Sequence, residues 1–312
     1  MGVFWVVQLN VKHVEAVLNI SFAPDGSVVA SASDDGRVLI WEAATGIARA
    51  LPGRTLAVFA VAFAPDGKTI AANCWDGKKG FVELRDYPSG EVRATFGDRK
   101  RQGWAIGYSP NGSLLAVDGD HLQIWDVATS QRLRTLRTGG MSLSFAPDGK
   151  TLATGAIQLT DVETGKEVRA LDGKPGGVYS VAFSPDGKSL ATVANDLFAD
   201  KRITNGPPPG IVKVWDVATG LVKSEFKGTY EVRSVVFSPD GRTLAVGQQD
   251  GNILYWDTTA RRIREIVRAT RPGINALAYS PDGKILAAGC QDGTVKMLRP
   301  PQSERIDPQT SR

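Results

Sequence analysis

The residues of this 312-residue chain that could do acid–base or metal chemistry are mainly aspartates at a regular spacing. Seven times an Asp or Asn stands between a proline and a glycine, at Asp25, Asp66, Asn111, Asp148, Asp186, Asp240 and Asp282. Consecutive positions lie 41, 45, 37, 38, 54 and 42 residues apart. Carboxylates bind metals or catalyse only where several groups converge. Since proline presets φ and glycine accepts positive φ, we interpret these aspartates as turn residues.

Other residues with chemical potential are scarce. The chain has two histidines, His13 and His121, and two cysteines, Cys74 and Cys290. His121 lies close to two aspartates, but its repeat contains no second histidine or cysteine, so no metal site is predicted. Each cysteine stands two residues before an Asp-Gly pair, a position that suits a small buried residue. No Gly-x-Ser-x-Gly, P-loop or dinucleotide-binding motif occurs. We therefore expect no catalytic residues, no cofactor and no metal.

Composition favours a soluble globular protein without nucleic-acid or membrane partners. Hydrophobic residues make up 42% and charged residues 22%, and the net charge of +4 is mild for a nucleic-acid binder. No apolar run reaches the roughly 18 residues that span a bilayer. The N-terminal segment MGVFWVVQLN lacks the basic region and cleavage site of a signal peptide. With so few cysteines, these features predict a cytoplasmic protein.

Each repeated unit contains four short runs of alternating apolar residues separated by turns. The second and third runs are joined by Asp-Gly in four units, at 35–36, 76–77, 250–251 and 292–293, which is a strong hairpin signal. The third run ends in Trp-Asp at 125–126, 215–216 and 256–257. A Thr-Gly turn follows, as at 219–220, and then a more polar fourth run. The pattern predicts four antiparallel strands per unit of about 40–45 residues.

This unit resembles the WD40 repeat, and the resemblance covers residues 4–299. It implies an all-β fold, a seven-bladed β-propeller of four-stranded antiparallel blades, as one domain over residues 1–300. The regular turns are similar to those of bacterial WD40 proteins. The last unit stops after its third run at 294–298, so residues 4–10 are expected to close the ring as its outer strand. The polar residues 301–312 are expected to form a tail. A ring also separates Cys74 from Cys290, so no disulfide is expected.

The family implies a buried hydrogen-bonded network in the first blade, formed by His13, Ser33, Asp35 and Trp41. The other blades have lost the equivalent histidine. Blade 4 lacks both the Asp-Gly turn and the tryptophan, so its hairpin must be short.

The resemblance also implies a ring of partner contacts where the inner strands begin. The residue four before the Phe or Tyr of each turn motif marks this position, at Leu18, Phe59, Trp104, Met141, Tyr179, Arg233 and Asn275. Most of these types are enriched at interface hot spots. Other candidates on the same face are Trp75 and the basic residues Arg99, Lys100, Arg101, Lys201 and Arg202, which favour an acidic partner. The long segment 195–210 is expected to join this face. In the alternative, the aromatic side chains pack between blades and do not meet solvent.

Two classes of function follow from these observations. The first is a monomeric scaffold or adaptor that binds a protein or peptide through the loop face, without enzymatic activity. The second is a propeller that binds a small molecule or acts as an enzyme at the central mouth. A further alternative is a phosphate or nucleic-acid binder that uses basic residues on the outer strands, where charges also protect the strand edges from aggregation.

Overall fold

The computed structural model describes residues 11–171, 177–195 and 209–301, and in this part of the chain seven antiparallel sheets follow one another. They are the blades of a seven-bladed β-propeller. Each blade has four strands, except that the described part of the seventh has three.

The strands are numbered in chain order, and neighbours in sequence pair within each blade. Blades 1 and 2 contain β1 Val17–Phe22, β2 Val28–Ser33, β3 Val38–Glu42, β4 Ala48–Ala50, β5 Ala57–Phe63, β6 Thr69–Trp75, β7 Gly80–Asp86 and β8 Val92–Arg99. Blades 3 and 4 contain β9 Ile106–Tyr108, β10 Leu114–Val117, β11 Leu122–Asp126, β12 Gln131–Leu136, β13 Leu143–Phe145, β14 Thr151–Thr154, β15 Gln158–Asp161 and β16 Glu167–Ala170. Blades 5 to 7 contain β17 Val178–Phe183, β18 Ser189–Asn195, β19 Gly210–Asp216, β20 Val222–Lys227, β21 Val232–Phe237, β22 Thr243–Gln248, β23 Asn252–Asp257, β24 Arg262–Arg268, β25 Ile274–Tyr279, β26 Leu286–Cys290 and β27 Val295–Leu298.

The Pro-Asp-Gly sequences form the turns between the first and second strands of the blades. In blade 1 the Asp25 carboxylate accepts a hydrogen bond from the Ser27 N–H at 2.9 Å, and Gly26 has a φ of 73°. Asp66, Asp148, Asp186, Asp240 and Asp282 bind the backbone in the same way. These aspartates are exposed turn residues, as their spacing predicts.

The seven turns also contact one another in a closed ring. A methyl group added to Gly67 would lie 3.3 Å from the ring of Pro24 in the preceding blade. The same Pro-to-Gly contact joins Pro65 to Gly112, Pro110 to Gly149, Pro147 to Gly187, Pro185 to Gly241, Pro239 to Gly283 and Pro281 to Gly26. The last contact joins blade 7 to blade 1, so the ring of turns is complete.

An apolar core lies at each of the seven blade interfaces. Blades 1 and 2 bury Ile40 against Phe63 and Ile70, and blades 7 and 1 bury Met297 against Leu39 and Trp41. Comparable clusters lie between the other five pairs of neighbouring blades. Stacked apolar faces therefore hold the blades together.

Polar side chains connect neighbouring inner strands where backbone groups have no strand partner. The Val61 N–H donates to Asn19 Oδ1 at 3.0 Å, and the Leu277 N–H donates to Ser234 Oγ at 2.9 Å. Between blades 7 and 1 the Asn275 amide donates to the Val17 carbonyl at 3.0 Å. These bonds satisfy backbone groups that would be costly to bury unpaired.

The predicted short hairpin of blade 4 is confirmed, since only residues 155–157 separate β14 from β15. The long segment of blade 5 does connect the second strand to the third, because Asn195 pairs with Gly210. Residues 196–208 of that segment lie outside the described residues, as do the predicted closing strand at 4–10 and all of the tail after residue 301. No helix in the described ranges is long and apolar enough to cross a membrane.

Candidate functional site

The antiparallel blades place two kinds of connection on one face of the ring, here called the mouth face. These are the hairpin turns between second and third strands and the segments between blades. Backbone bonds tie them together: the Thr55 N–H donates to the Gly36 carbonyl at 3.0 Å, and the His13 N–H donates to the Gly293 carbonyl at 3.0 Å. The opposite face, here called the turn face, carries the Pro-Asp-Gly turns.

A buried network in blade 1 anchors the first of these inter-blade segments. The Trp41 indole donates to Ser31 Oγ at 2.7 Å, and Ser31 Oγ lies 2.7 Å from His13 Nε2. His13 Nδ1 lies 3.0 Å from both carboxylate oxygens of Asp35. Because the indole only donates and the carboxylate only accepts, the chain of bonds assigns the proton of neutral His13 to Nδ1.

The serine of this network differs from the predicted one. Ser31, not Ser33, lies between His13 and Trp41, because Ser31 is nearer to Trp41 along the paired strands β2 and β3. Ser33 Oγ instead accepts from the Asp35 N–H at 3.1 Å and donates to the Glu15 carbonyl at 3.3 Å. Ser33 therefore stabilises the turn and the incoming segment.

Burial and pairing set the charges in the network. Burial lowers the pKa of His13 below its usual value, and the neighbouring Asp35 carboxylate only partly opposes this effect. Burial alone would raise the pKa of Asp35, but hydrogen bonds from Arg37 and the Val14 N–H, together with His13, lower it to about 2. At neutral pH the network therefore holds a neutral imidazole against a charged carboxylate.

The predicted contact ring coincides with a repeated backbone irregularity. In five blades the pairing of the inner strand slips by one residue at that position, which leaves Leu18, Phe59, Tyr179, Arg233 and Asn275 on β-bulges. In blades 3 and 4 the equivalent residues, Trp104 and Met141, precede the first strand. Bulges redirect side chains and are frequent beside functional sites.

Two residues of this ring, Trp104 and Met141, are 40% and 41% exposed. Phe59 is 4% exposed, and its ring centroid lies 4.8 Å from that of Trp104, so the buried phenyl ring packs against the exposed indole. The alternative that these aromatic side chains pack between blades therefore applies to Phe59. Tyr179 is half-buried against the core between blades 5 and 6.

Buried polar groups hold the backbone on both sides of Trp104. The Asn73 amide donates to the carbonyls of Gly103 and Ala105, at 3.1 and 3.3 Å. Asp118 Oδ2 lies 3.4 Å from the backbone nitrogen of Trp104. The exposed indole is therefore carried by a fixed backbone.

Asp118 also reaches the neighbourhood of Met141, since its Oδ1 lies 3.4 Å from the Gly140 nitrogen. Burial raises the pKa of this carboxyl, while the N–H groups of Trp104 and Gly140 lower it in part. One side chain thus links the two segments that carry the exposed Trp104 and Met141.

The prediction that Arg99 is an exposed loop residue for an acidic partner is wrong. Arg99 is the last residue of β8 and is 2% exposed, and its guanidinium donates to Asn73 Oδ1 and to the Phe81 carbonyl. Its side chain packs against Gly119, where an added methyl group would lie 2.4 Å from Arg99 Cδ. Burial lowers the pKa of Arg99 to about 10, so it stays charged at neutral pH. Arg99 positions Asn73 and does not meet a partner.

Sequence reasoning missed three further apolar residues on the mouth face. Val14, Leu56 and Tyr230 are exposed, and each lies between blades. With Trp104 and Met141, five inter-blade segments each present a large exposed apolar side chain among the described residues. The sequence feature that could have indicated them is a single large apolar residue in an otherwise polar inter-blade segment.

Exposed basic residues lie in the segment that carries Trp104 and in the adjacent hairpin turn of blade 2. Lys100 and Arg101 are exposed in the same segment, and Lys78 and Lys79 are exposed in the adjacent turn after the half-buried Trp75. Asp76 accepts hydrogen bonds from the Lys78 and Lys79 N–H groups, and Asp120 accepts one from the Lys100 N–H. With four cations and two carboxylates, this sector is positively charged. Lys201 and Arg202 lie outside the described residues.

The remaining candidates do not converge. Cys74 and Cys290 are buried free thiols in blades 2 and 7, as predicted. His121 is exposed beside β11. Within the described ranges, no three His, Cys, Asp or Glu side chains come together to hold a metal ion.

Comparison with protein families matches the described architecture. The model for "WD domain, G-beta repeat" matches residues 7–42, 47–78, 165–203, 220–257 and 263–297, more than half of the chain. The chain belongs to the WD40 repeat family. The longest stretch between matches, 79–164, includes the first three strands of blade 4, whose WD40 repeat lacks the Asp-Gly turn and the tryptophan.

Several curated WD40 proteins are similar to this chain. The WD repeat-containing protein SL1-17 of Schistosoma mansoni is 29% identical over 168 residues, which cover 51% of this chain and 52% of that protein. The nuclear distribution protein nudF of Aspergillus niger is 26% identical over 275 residues, covering 79% and 60%. The serine-threonine kinase receptor-associated protein of Gallus gallus is 24% identical over 163 residues, covering 50% and 42%.

The chain spans less than two thirds of the length of each of these relatives. All three are eukaryotic proteins, so the comparisons do not support the expected bacterial style of this WD40 propeller.

Proposed function

We propose that this WD40 propeller is a scaffold or adaptor, without enzymatic activity, that binds a protein or peptide on its mouth face. The observation that carries the proposal is the set of exposed apolar side chains in the inter-blade segments. Trp104 and Met141 are the anchors, because each is about two-fifths exposed at the start of an inner strand. Exposed aromatic and sulfur side chains on a fixed backbone are typical of interface hot spots.

The partner segment is acidic near blades 2 and 3. Exposed basic residues lie in the Trp104 segment and in the adjacent turn, at Lys78, Lys79, Lys100 and Arg101. Opposite charge speeds association and fixes the orientation of a bound partner. The name of one relative agrees with a role in protein binding, since the Gallus gallus protein is described as receptor-associated. We infer that the chain works as a monomer in the cytoplasm.

A capture experiment with matched variants tests the proposal. Proteins from the native host that are retained by the wild-type chain are compared with those retained by Trp104→Ala/Met141→Ala. The control, Leu133→Ala/Val168→Ala, removes two apolar side chains that are 53% and 56% exposed on the outer strands β12 and β16. Loss of a partner in the first variant but not in the control supports the mouth face. A partner retained equally by both folded variants contradicts it.

A further inference from the structure

A second candidate site lies on the turn face, away from the proposed partner surface. It is a cavity of about 490 Å³ between blades 5 and 6, a volume within the range of small-molecule sites. Its apolar wall is formed by Val214, Phe237 and Trp256, and its basic residues are Lys223, Arg242 and Arg261. Ser184, Ser189, Ser224, Thr258 and Thr259 add hydroxyl groups. The lining therefore combines an aromatic wall with cations and hydrogen-bonding groups.

The indole of Trp256 lacks the partner that two other blades provide. Trp41 and Trp215 donate to Ser31 and Thr192, at 2.7 and 2.9 Å. Strand pairing puts Val246 at the equivalent place in blade 6, and the Trp256 indole N–H donates no hydrogen bond within the described part of the chain. The ring is instead stacked on Phe226, with centroids 4.0 Å apart and planes 8° apart. An aromatic surface thus lines the cavity.

Two of the three cations have unused donors. Arg242 and Arg261 are exposed, and neither guanidinium makes a hydrogen bond or ion pair within the described ranges. Lys223 Nζ lies 3.2 Å from Ser189 Oγ and 3.6 Å from Asp216 Oδ2. A guanidinium presents paired donors that match a phosphate or carboxylate.

The carboxylates at the cavity are engaged by their own turns. Asp186 Oδ1 accepts from Ser184 Oγ at 2.6 Å and from the Lys188 N–H at 3.0 Å. Asp240 Oδ1 accepts from Ser238 Oγ at 2.5 Å and from the Arg242 N–H. Because these carboxylates accept hydrogen bonds from their own turns and Lys223 lies beside Asp216, the exposed guanidinium groups of Arg242 and Arg261 are the cations with donors left for an anion.

The backbone of Arg261 is strained at this place. It has a φ of 52° in the turn between the third and fourth strands, where blades 1, 2, 4 and 5 have Gly46, Gly90, Gly165 and Gly220. A non-glycine residue at positive φ is disfavoured, and such strain clusters at functional sites. A guanidinium therefore replaces a glycine beside the cavity.

From these contacts we infer that the cavity between blades 5 and 6 binds a small phosphomonoester that carries a planar apolar group. The phosphate accepts hydrogen bonds from Arg242 and Arg261, and the planar group lies against the wall formed by Trp256. This site is independent of the mouth face, so either proposal can fail alone.

Titration of the whole protein with phenyl phosphate tests this inference. We expect saturable binding of one molecule per chain by calorimetry, with inorganic phosphate and benzyl alcohol each at least about tenfold weaker because each lacks half of the contacts. Arg242→Ala/Arg261→Ala is expected to lose at least about tenfold in affinity. The control Arg134→Ala/Arg137→Ala removes two exposed arginines on the other side of the ring and leaves binding unchanged.

A second pair of variants separates binding from folding. Arg261→Gly relieves a φ of 52° and Ser130→Gly relieves a φ of 55° at the equivalent turn of blade 3. We expect both variants to fold with melting temperatures no lower than the wild type, and only Arg261→Gly to bind phenyl phosphate more weakly. Failure of the wild type to saturate, or equal affinity of the two arginine double variants, overturns the inference.

Discussion

Ser31 is the residue on which the buried network of blade 1 depends. It accepts from the Trp41 indole and lies within hydrogen-bond distance of His13, whereas Ser33 contacts only backbone groups. Ser31→Ala leaves two buried groups without partners, so we expect a loss of about 1–3 kcal/mol in the free energy of unfolding. Ser33→Ala is the matched control and is expected to lose less. Urea denaturation checks this, and equal midpoints would show that Ser31 has no special role.

His13 makes the stability of the protein sensitive to mild acid. Burial lowers the pKa of His13 in the folded state. As the pH falls below the unperturbed value of 6.5, the unfolded chain therefore binds more protons than the folded chain. We expect the free energy of unfolding to fall between about pH 7 and pH 5.5 in the wild type. His13→Asn should be less stable at pH 7 but should lose this slope. An equal slope in both proteins would assign the pH dependence to other groups.

At the element scale, the Asp-Gly hairpin turns support the inter-blade segments that carry the mouth-face side chains. A methyl group added to Gly36 would lie 1.8 Å from the Thr55 carbonyl oxygen, because that segment crosses directly over the turn. The equivalent Gly77 has a φ of 95°, but its nearest neighbour would be a flexible leucine methyl at 3.4 Å.

This difference predicts unequal effects of the same substitution. Gly77→Ala should cost about 1–2 kcal/mol, from positive φ alone. Gly36→Ala adds the displacement of the following segment and should cost about 1–3 kcal/mol more. Thermal unfolding of the two variants measures the difference. Equal melting temperatures would indicate that the segment above Gly36 moves freely.

The sequence predicts the strands and turns because each Pro-Asp-Gly and Asp-Gly signal is local. It does not predict the bulges at the ring positions, since nothing in the residues at Leu18 or Phe59 encodes a slip in pairing. The burial of Arg99 was also missed, because it depends on residues that are distant in sequence. The charge of Arg99 suggests a surface position, but Asn73, two strands away in the same blade, and the space beside Gly119 allow its side chain to be buried.

At the scale of the whole molecule, seven interface cores and a closed ring of turns couple every blade to two neighbours. Blade 7 contributes three described strands, and residues 4–10 are expected to supply the fourth. Removal of residues 1–10 should therefore lower the melting temperature of the whole domain, since each blade depends on its neighbours. Calorimetry of the truncated chain checks this. A single transition at the wild-type temperature would contradict closure by this segment.

The central claim is that a partner binds on the mouth face around Trp104 and Met141. Amide hydrogen exchange of the protein, alone and with the partner captured through Trp104, tests it most directly. We predict slower exchange on binding in residues 100–105 and 137–142, with little change in the Pro-Asp-Gly turns. Protection confined to those turns, or to the outer strands β12 and β16, would contradict the claim.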